Sequence, residues 1–203
     1  KPLFEKIEAA SNGRVKIITY PSQSLCKVSD SYDAIASGIA DMAESTHAYT
    51  ADRFPLTQVL TLPGLGIKSA VDGTYIARDL YEKYPEIRGE YADMHLLFAF
   101  RLANFGISTA DTPVRTPADM KGLKIRATGG TSADAIAALG ASPVAMSMSD
   151  SYVALKTGVL DGVCSPPDPL KSRNLYEVQN YFTYVGMGSA SMWVGMNLEK
   201  WNS

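Results

Sequence analysis

The sequence predicts an α/β protein built from two similar lobes, and three observations carry that prediction. Strand-like and helix-like segments alternate along most of the chain, a pattern that argues for mostly parallel sheets. The stretch Ser31 to Ser45 is matched by Ser151 to Ser165 at a constant offset of 120, with identity at six of fifteen positions. Each copy reads as a helix, a glycine stop, a short strand and a polar loop, so the repeat predicts duplicated units. Finally, Pro113 and Pro117 mark a crossover. It divides the chain into a first lobe, residues 1–109 plus 190–203, and a second lobe, residues 110–189. Hinges are expected near 109–112 and 188–190.

The elements follow in order. Leu3, Phe4, Ile7 and Ala10 have helical spacing, and Asn12-Gly13 closes that helix. Val15 to Tyr20 is β-branched and predicts a strand ended by Pro21. Ser29 or Asp30 caps a helix that stops at Gly38, and a short strand reaches Glu44. Residues 53–66 are irregular. Helices are expected over 70–84 and 85–91, and strands over 95–100 and 105–109. A strand through Arg126, a helix over 132–139, a strand at 143–146 and a helix to Thr157 come next. A strand at 159–164, a helix over 168–178 and strands at 181–186 and 190–197 complete the chain.

Composition excludes several classes. The formal charge is −2 and there is no basic run, so no nucleic-acid partner is expected. No apolar stretch reaches membrane-spanning length. Lys1 to Glu5 opens directly into an amphipathic helix rather than a signal peptide. Both ends are abrupt, which reads as truncation. Cys26 and Cys164 lack CxxC spacing and read either as buried free thiols or as a disulfide pair.

Chemistry concentrates around Arg126. Leu123, Ile125 and Ala127 alternate with Lys124 and Arg126, then Thr128-Gly129-Gly130-Thr131-Ser132 leads into an apolar run. Strand, glycine turn and helix start place backbone N–H groups beside a planar, permanently charged donor. The stretch reads either as a carboxylate site or as an ordinary surface arginine at a strand end. Ligands of open α/β sheets sit beyond the carboxyl ends of strands. The repeat puts Glu44 and Ser45 at one such end and Cys164 and Ser165 at the equivalent one. His47 reads as a pocket or surface-loop residue, and Arg101 as a second cleft cation or half of a structural ion pair. Trp193 and Tyr49 read as core or pocket wall, and His95 as structural. Asp41 and Asp161 read as local backbone caps. No HExxH, GxSxG or P-loop motif occurs, and metal spacing among Asp41, Glu44 and His47 is weak. No cofactor is expected.

At this point the chain resembles a known family. Ser11-Asn-Gly-Arg-Val-Lys-Ile17, Tyr20 to Ser24, Ser37-Gly-Ile-Ala-Asp-Met42 and Thr116 to Arg126 carry the likeness. So do Ala138 to Val144, Tyr152 to Gly162, Tyr176 to Gln179 and Met196-Asn197. The set resembles the solute-binding proteins of tripartite ATP-independent periplasmic (TRAP) transporters, dicarboxylate type. The resemblance implies a two-lobed periplasmic-binding-protein-like fold, each lobe a mixed sheet flanked by helices, with a cleft between. It implies a periplasmic, monomeric binder, not an enzyme, that delivers an organic acid to a TRAP membrane permease. It also implies that Arg126 clamps the ligand carboxylate, that Glu44 contributes a polar contact and that Met148 stands at a pocket wall. Ser165 replaces a usual asparagine, and Thr112 replaces a basic residue of some members. These departures weaken the expectation of a C4-dicarboxylate, and polar anchors with Met and Trp walls suit a monocarboxylate with an apolar or aromatic body. A strand before residue 1 and helices after 203 are implied as well. Two other classes share this architecture: the effector domain of a regulator, and an enzyme using Glu44 or His47 in the same cleft.

Overall fold

A computed structural model describes residues 2–203. Two sheets organise the chain. The first contains β1 (Met42–Thr46), β2 (Met94–Arg101) and β8 (Ser191–Asn197), in the order β1-β8-β2. Both of its pairings are antiparallel. The second contains β3 (Gly106–Thr109), β4 (Lys124–Ala127), β5 (Ser142–Ala145), β6 (Gly162–Ser165) and β7 (Tyr181–Thr183), in the order β5-β4-β6-β3-β7. Here β4 pairs in parallel with β5 and β6, while β3 runs antiparallel to β6 and β7. The expectation of mostly parallel sheets is therefore corrected. Helices do alternate with strands, but β3 and β8 each arrive straight from the other sheet with no helix between, and enter antiparallel to their neighbours; β7 follows the helix Asp168–Ser172 and is antiparallel because its neighbour is β3.

The repeat is structural. In the first copy a 3-10 turn (Val28–Asp30) opens α2 (Ser31–Ala36), which stops at Gly38 and leads to β1. In the second a 3-10 turn (Met148–Asp150) opens α6 (Ser151–Lys156), which stops at Gly158 and leads to β6. Gly38 and Gly158 have φ of 76° and 74°, the left-handed conformation that ends each helix. The local bonds repeat as well. Ala40 N–H donates to the Ala34 carbonyl at 3.0 Å and Leu160 N–H to the Ala154 carbonyl at 3.1 Å. Asp161 bonds a backbone, accepting from the Lys124 N–H at 2.7 Å.

The other helices are α1 (Pro2–Ala10), α3 (Ala70–Lys83), α4 (Pro85–Gly89), α5 (Thr131–Ala138), α7 (Asp168–Ser172) and α8 (Leu198–Trp201). Ser69 caps α3 by accepting the Asp72 N–H at 3.0 Å. None of the described helices is long and apolar enough to cross a membrane. The helix expected over 168–178 is broken at Asn174, whose φ is 53°. Val15 to Tyr20 forms no ladder, and Val15, Ile18 and Tyr20 stand exposed. β-propensity makes a strand only where a neighbour supplies the ladder.

The first lobe packs Tyr32, Ile35, Phe54, Ile87, Tyr91, Met94 and Trp193 on one face of its sheet. The second lobe has a core on each face. Ile107, Ile125, Ile136 and Cys164 lie in one, and Ala154, Leu155, Leu160 and Val163 in the other. β3 belongs to the second sheet, so the chain first passes from one sheet to the other at 102–105. It returns through 184–190. Gly188, on that return, has φ of 62°, and a Cβ added there would meet the Thr61 carbonyl of the first lobe. Gly188→Ala is expected to destabilise the protein by about 1–3 kcal/mol, read from the midpoint of urea unfolding.

Candidate functional site

Arg126 sits on β4 opposite Val163 of β6 and Val144 of β5. It is only 1% exposed. Its Nε donates to the Met146 carbonyl at 3.0 Å, and its Nη2 donates to the Tyr49 hydroxyl at 3.0 Å. Among the described residues its Nη1 has no hydrogen-bond partner and no carboxylate pairs with it. Burial pulls the guanidinium pKa down from its ordinary value, opposed by the neighbouring Tyr49 and Cys164. A cation held from water with only neutral partners is costly unless an anion completes it.

Two glycines prepare the turn beside it. Gly129 and Gly130 have φ of 104° and 51°. Among the described residues neither N–H has an acceptor. Gly130 precedes α5; the Ala133 and Asp134 N–H groups donate back to its carbonyl, and the Thr131 and Ser132 N–H groups have no acceptor among the described residues. Ala127, Arg126 and this turn thus form the strand-turn-helix unit that the sequence predicted.

Several contacts close the first lobe onto this unit. Besides Tyr49 on Arg126, the Thr61 and Thr131 hydroxyls lie 2.7 Å apart. The Gln23 Nε2 donates to the Ser147 Oγ at 3.3 Å. The Ala48 carbonyl and the Gln58 Oε1 stand against the glycine turn, 3.5 and 3.8 Å from Cβ atoms built on Gly129 and Gly130. Thr50 Oγ1 and Gln58 Nε2 are shielded from water and have no partner among the described residues. Met148, one residue from Ser147, is half-buried and packs beside Ala154 and Val163. Of the residues expected at a site, Arg126 and Tyr49 are therefore brought together at this seam, while the recorded contacts of Met148 lie within the second lobe.

Others are placed elsewhere. His47 is fully buried in the first-lobe core rather than at a pocket or surface. Its Nδ1 lies 2.8 Å from the Ser191 carbonyl and its Nε2 2.6 Å from the Tyr91 hydroxyl. A carbonyl only accepts, so Nδ1 carries the proton and Nε2 accepts from Tyr91. Trp193 is also fully buried, edge-on to Tyr32. Arg101 is buried against Gly73 of α3, and its Nε donates to the Leu60 carbonyl at 3.2 Å. No carboxylate pairs with it among the described residues. Strand β1 runs to Thr46, so Glu44 and Ser45 lie within it rather than beyond its end. Ser45 donates to the Val28 carbonyl at 3.1 Å. Glu44 pairs with Val194 on the opposite, solvent-facing side, where partial desolvation raises its carboxyl pKa. Ser165 is buried and donates to the Pro166 carbonyl at 2.8 Å. His95 stacks on Trp201 at 3.8 Å between centroids. Both cysteines are free thiols; burial pushes Cys164 up to about 12, which leaves it protonated and unreactive, and Cys26 is half-buried. Among the described residues no three His, Cys, Asp or Glu side chains gather to hold a metal ion.

A family model described as bacterial extracellular solute-binding protein, family 7, matches residues 1–203. The chain belongs to this family. It is 30% identical over 98% of its length to the C4-dicarboxylate-binding periplasmic protein of Rhodobacter capsulatus, covering 60% of that protein. A solved TRAP periplasmic solute-binding protein from Bordetella bronchiseptica, with (R)- and (S)-mandelate bound, is 34% identical and superposes with a TM-score of 0.90. The match covers 99% of this chain and 64% of that one. A marine-metagenome TRAP solute-binding protein from an unidentified microbe, specific for aromatic acids and in complex with metahydroxyphenylacetate, is 28% identical with a TM-score of 0.92. There the match covers 100% and 64% of the two chains. This family member thus spans about three fifths of the relatives' length.

Sequence reasoning missed Gln23, Gln58, Thr61 and Thr131. Thr131 was legible as part of the glycine turn. The other three sit in irregular segments, where no periodicity says which way a side chain points. The buried imidazole yields a pH prediction. Burial lowers His47 to about 4 in the folded protein, against about 6.5 unfolded. The unfolded chain binds the extra proton in that window, so stability falls with acidity between about pH 6.5 and 4. The slope contributed is roughly 1.4 kcal/mol per pH unit. His47→Gln should flatten this part of a stability-versus-pH curve measured by urea unfolding.

Proposed function

We infer that this chain forms the ligand-holding part of a TRAP-type extracytoplasmic solute-binding protein, whose ligand is a monocarboxylate with an aromatic or apolar body. One observation carries the reading: Arg126 is buried at the interlobe seam, bonded to the other lobe through Tyr49, and lacks any acid partner. A ligand carboxylate would take its free Nη1 and share the Gly129 and Gly130 N–H groups. Thr50 Oγ1 and Gln58 Nε2, shielded and unpartnered, would meet further polar atoms of the ligand. Met148 would line the apolar side. A dicarboxylate would need a second cation; Arg101 lays its Cβ–Cδ stem against α3 and commits its Nε to the Leu60 carbonyl, which leaves its buried Nη1 without a partner among the described residues. Mandelate and metahydroxyphenylacetate in two solved relatives support the aromatic acid.

Family membership supports the rest of the proposal. The intact protein acts in the periplasm as a monomer, binds without chemical conversion and hands its ligand to a TRAP membrane permease. Residues 42–101 and 191–197 would form most of one lobe, and residues 106–183 the other. They would swing about the crossings at 102–105 and 184–190.

Calorimetry with mandelate, benzoate and a C4-dicarboxylate tests this. The aromatic acids are expected to bind and the dicarboxylate is not. Arg126→Ala should lower aromatic-acid affinity about 100-fold or more, roughly 2.7 kcal/mol, with little change in thermal stability. Equal affinity in the variant would remove the clamp.

A further inference from the structure

The repeat places two equivalent helix starts on opposite sides of the seam. Offset by 120, Lys27 before the first 3-10 turn corresponds to Ser147 before the second. Ser147 caps its own turn, accepting the Ser149 N–H at 3.3 Å. Lys27 caps nothing. The missing cap is supplied by Gln23, whose Oε1 accepts the Val28 N–H at 3.0 Å. The same amide then reaches across, and its Nε2 donates to the Ser147 Oγ at 3.3 Å. A primary amide carries an acceptor and donors on one rigid end. The Val28 N–H fixes the oxygen, so the nitrogen must face the second lobe.

The backbone is shaped for this reach. Ser22 and Gln23 both adopt left-handed conformations, with φ of 56° and 63°. For residues other than glycine each costs about 1–2 kcal/mol. Two in succession persist where surrounding contacts determine them. Ser147 in turn lies between Met146, whose carbonyl holds Arg126, and Met148.

We propose that Gln23 is a closure clip: a positioning residue that ties the cap of one repeat to the cap of the other and so slows ligand escape, without touching the ligand. The Thr61–Thr131 contact stands on the α5 side of the seam and Gln23–Ser147 on the α6 side, with Tyr49–Arg126 as the third bond across it. Opening the lobes must break the clip, whereas ligand entry into open lobes precedes its formation. Its effect therefore falls on dissociation. The kinetic consequence rests on the carboxylate-binding reading; the clip geometry does not.

The test is a double-mutant cycle in the intact protein, which cancels the loss of either local cap. Stopped-flow measurement with mandelate should show Gln23→Leu raising the dissociation rate about fivefold, the effect of one neutral hydrogen bond. The association rate should stay within twofold. Ser147→Ala should do the same, and the double variant should add nothing further. Unchanged dissociation in Gln23→Leu, or independent multiplication of the two effects, overturns the clip.

A second measurement needs no ligand. Spin labels at Glu86→Cys and Lys171→Cys, in a Cys26→Ser background, report the interlobe distance. The short-distance population should shrink in Gln23→Leu and in Ser147→Ala; identical distributions overturn the proposal. Should unsubstituted protein ignore mandelate while these distances shift, the clip stands and the carboxylate reading falls. Should Arg126→Ala alone abolish mandelate binding, with Gln23→Leu silent in both assays, the reverse holds.

Discussion

A guanidinium without a counter-charge is the constraint on which the rest of the site depends. Arg126 is removed from water yet meets only the dipoles of a carbonyl and a phenol. Taking an ion out of water costs several kcal/mol even after relaxation. The second sheet holds that charge in place through the ladders of β4 with β5 and β6 on either side. The bond to Tyr49 makes the first lobe a partner in solvating it. The proposed site would then be an unfinished solvation shell, and the part that Arg126 lacks would set the charge of the ligand.

Duplication explains how two lobes come to meet at equivalent points, and divergence explains why they contribute different things. Both repeats deliver a strand to the seam through the same helix, glycine and strand. In the first copy the chain turns after Thr46 into an aromatic core, where His47 is held by Ser191 and Tyr91. In the second it continues into Cys164 and Ser165, both buried in the sheet. One half therefore supplies a rigid base and the other supplies the charge.

Much of this was legible in residue order. The β4-turn-α5 unit and the repeat were visible because periodicity and glycine placement are local signals. The resemblance to the family rested on motifs that the family comparison bears out. Strand direction was not legible: β3 and β8 each meet their neighbours antiparallel through long-range pairing that no window of sequence contains. Nor was the fate of individual polar side chains. His47, Arg101 and Ser45 have the composition of pocket residues, yet each bonds a backbone carbonyl of the first lobe, Arg101 through its Nε alone. Val15 to Tyr20 shows the opposite failure, in which β-branched residues read as a strand and the ladder that would make them one is absent among the described residues.

Strand order in the first sheet has a consequence for synthesis. Among the described residues its middle strand, β8, is the last of the eight to be made, and the ladders of β1 and β2 both run to it rather than to each other. Until residues 191–197 leave the ribosome, those two strands have no ladder between them. The second sheet draws all five strands from residues 106–183 and faces no such delay. Domains assemble as units during translation. On this topology, the described strands of the charge-carrying sheet have all been made while the sheet emerging first from the exit tunnel still waits for its keystone.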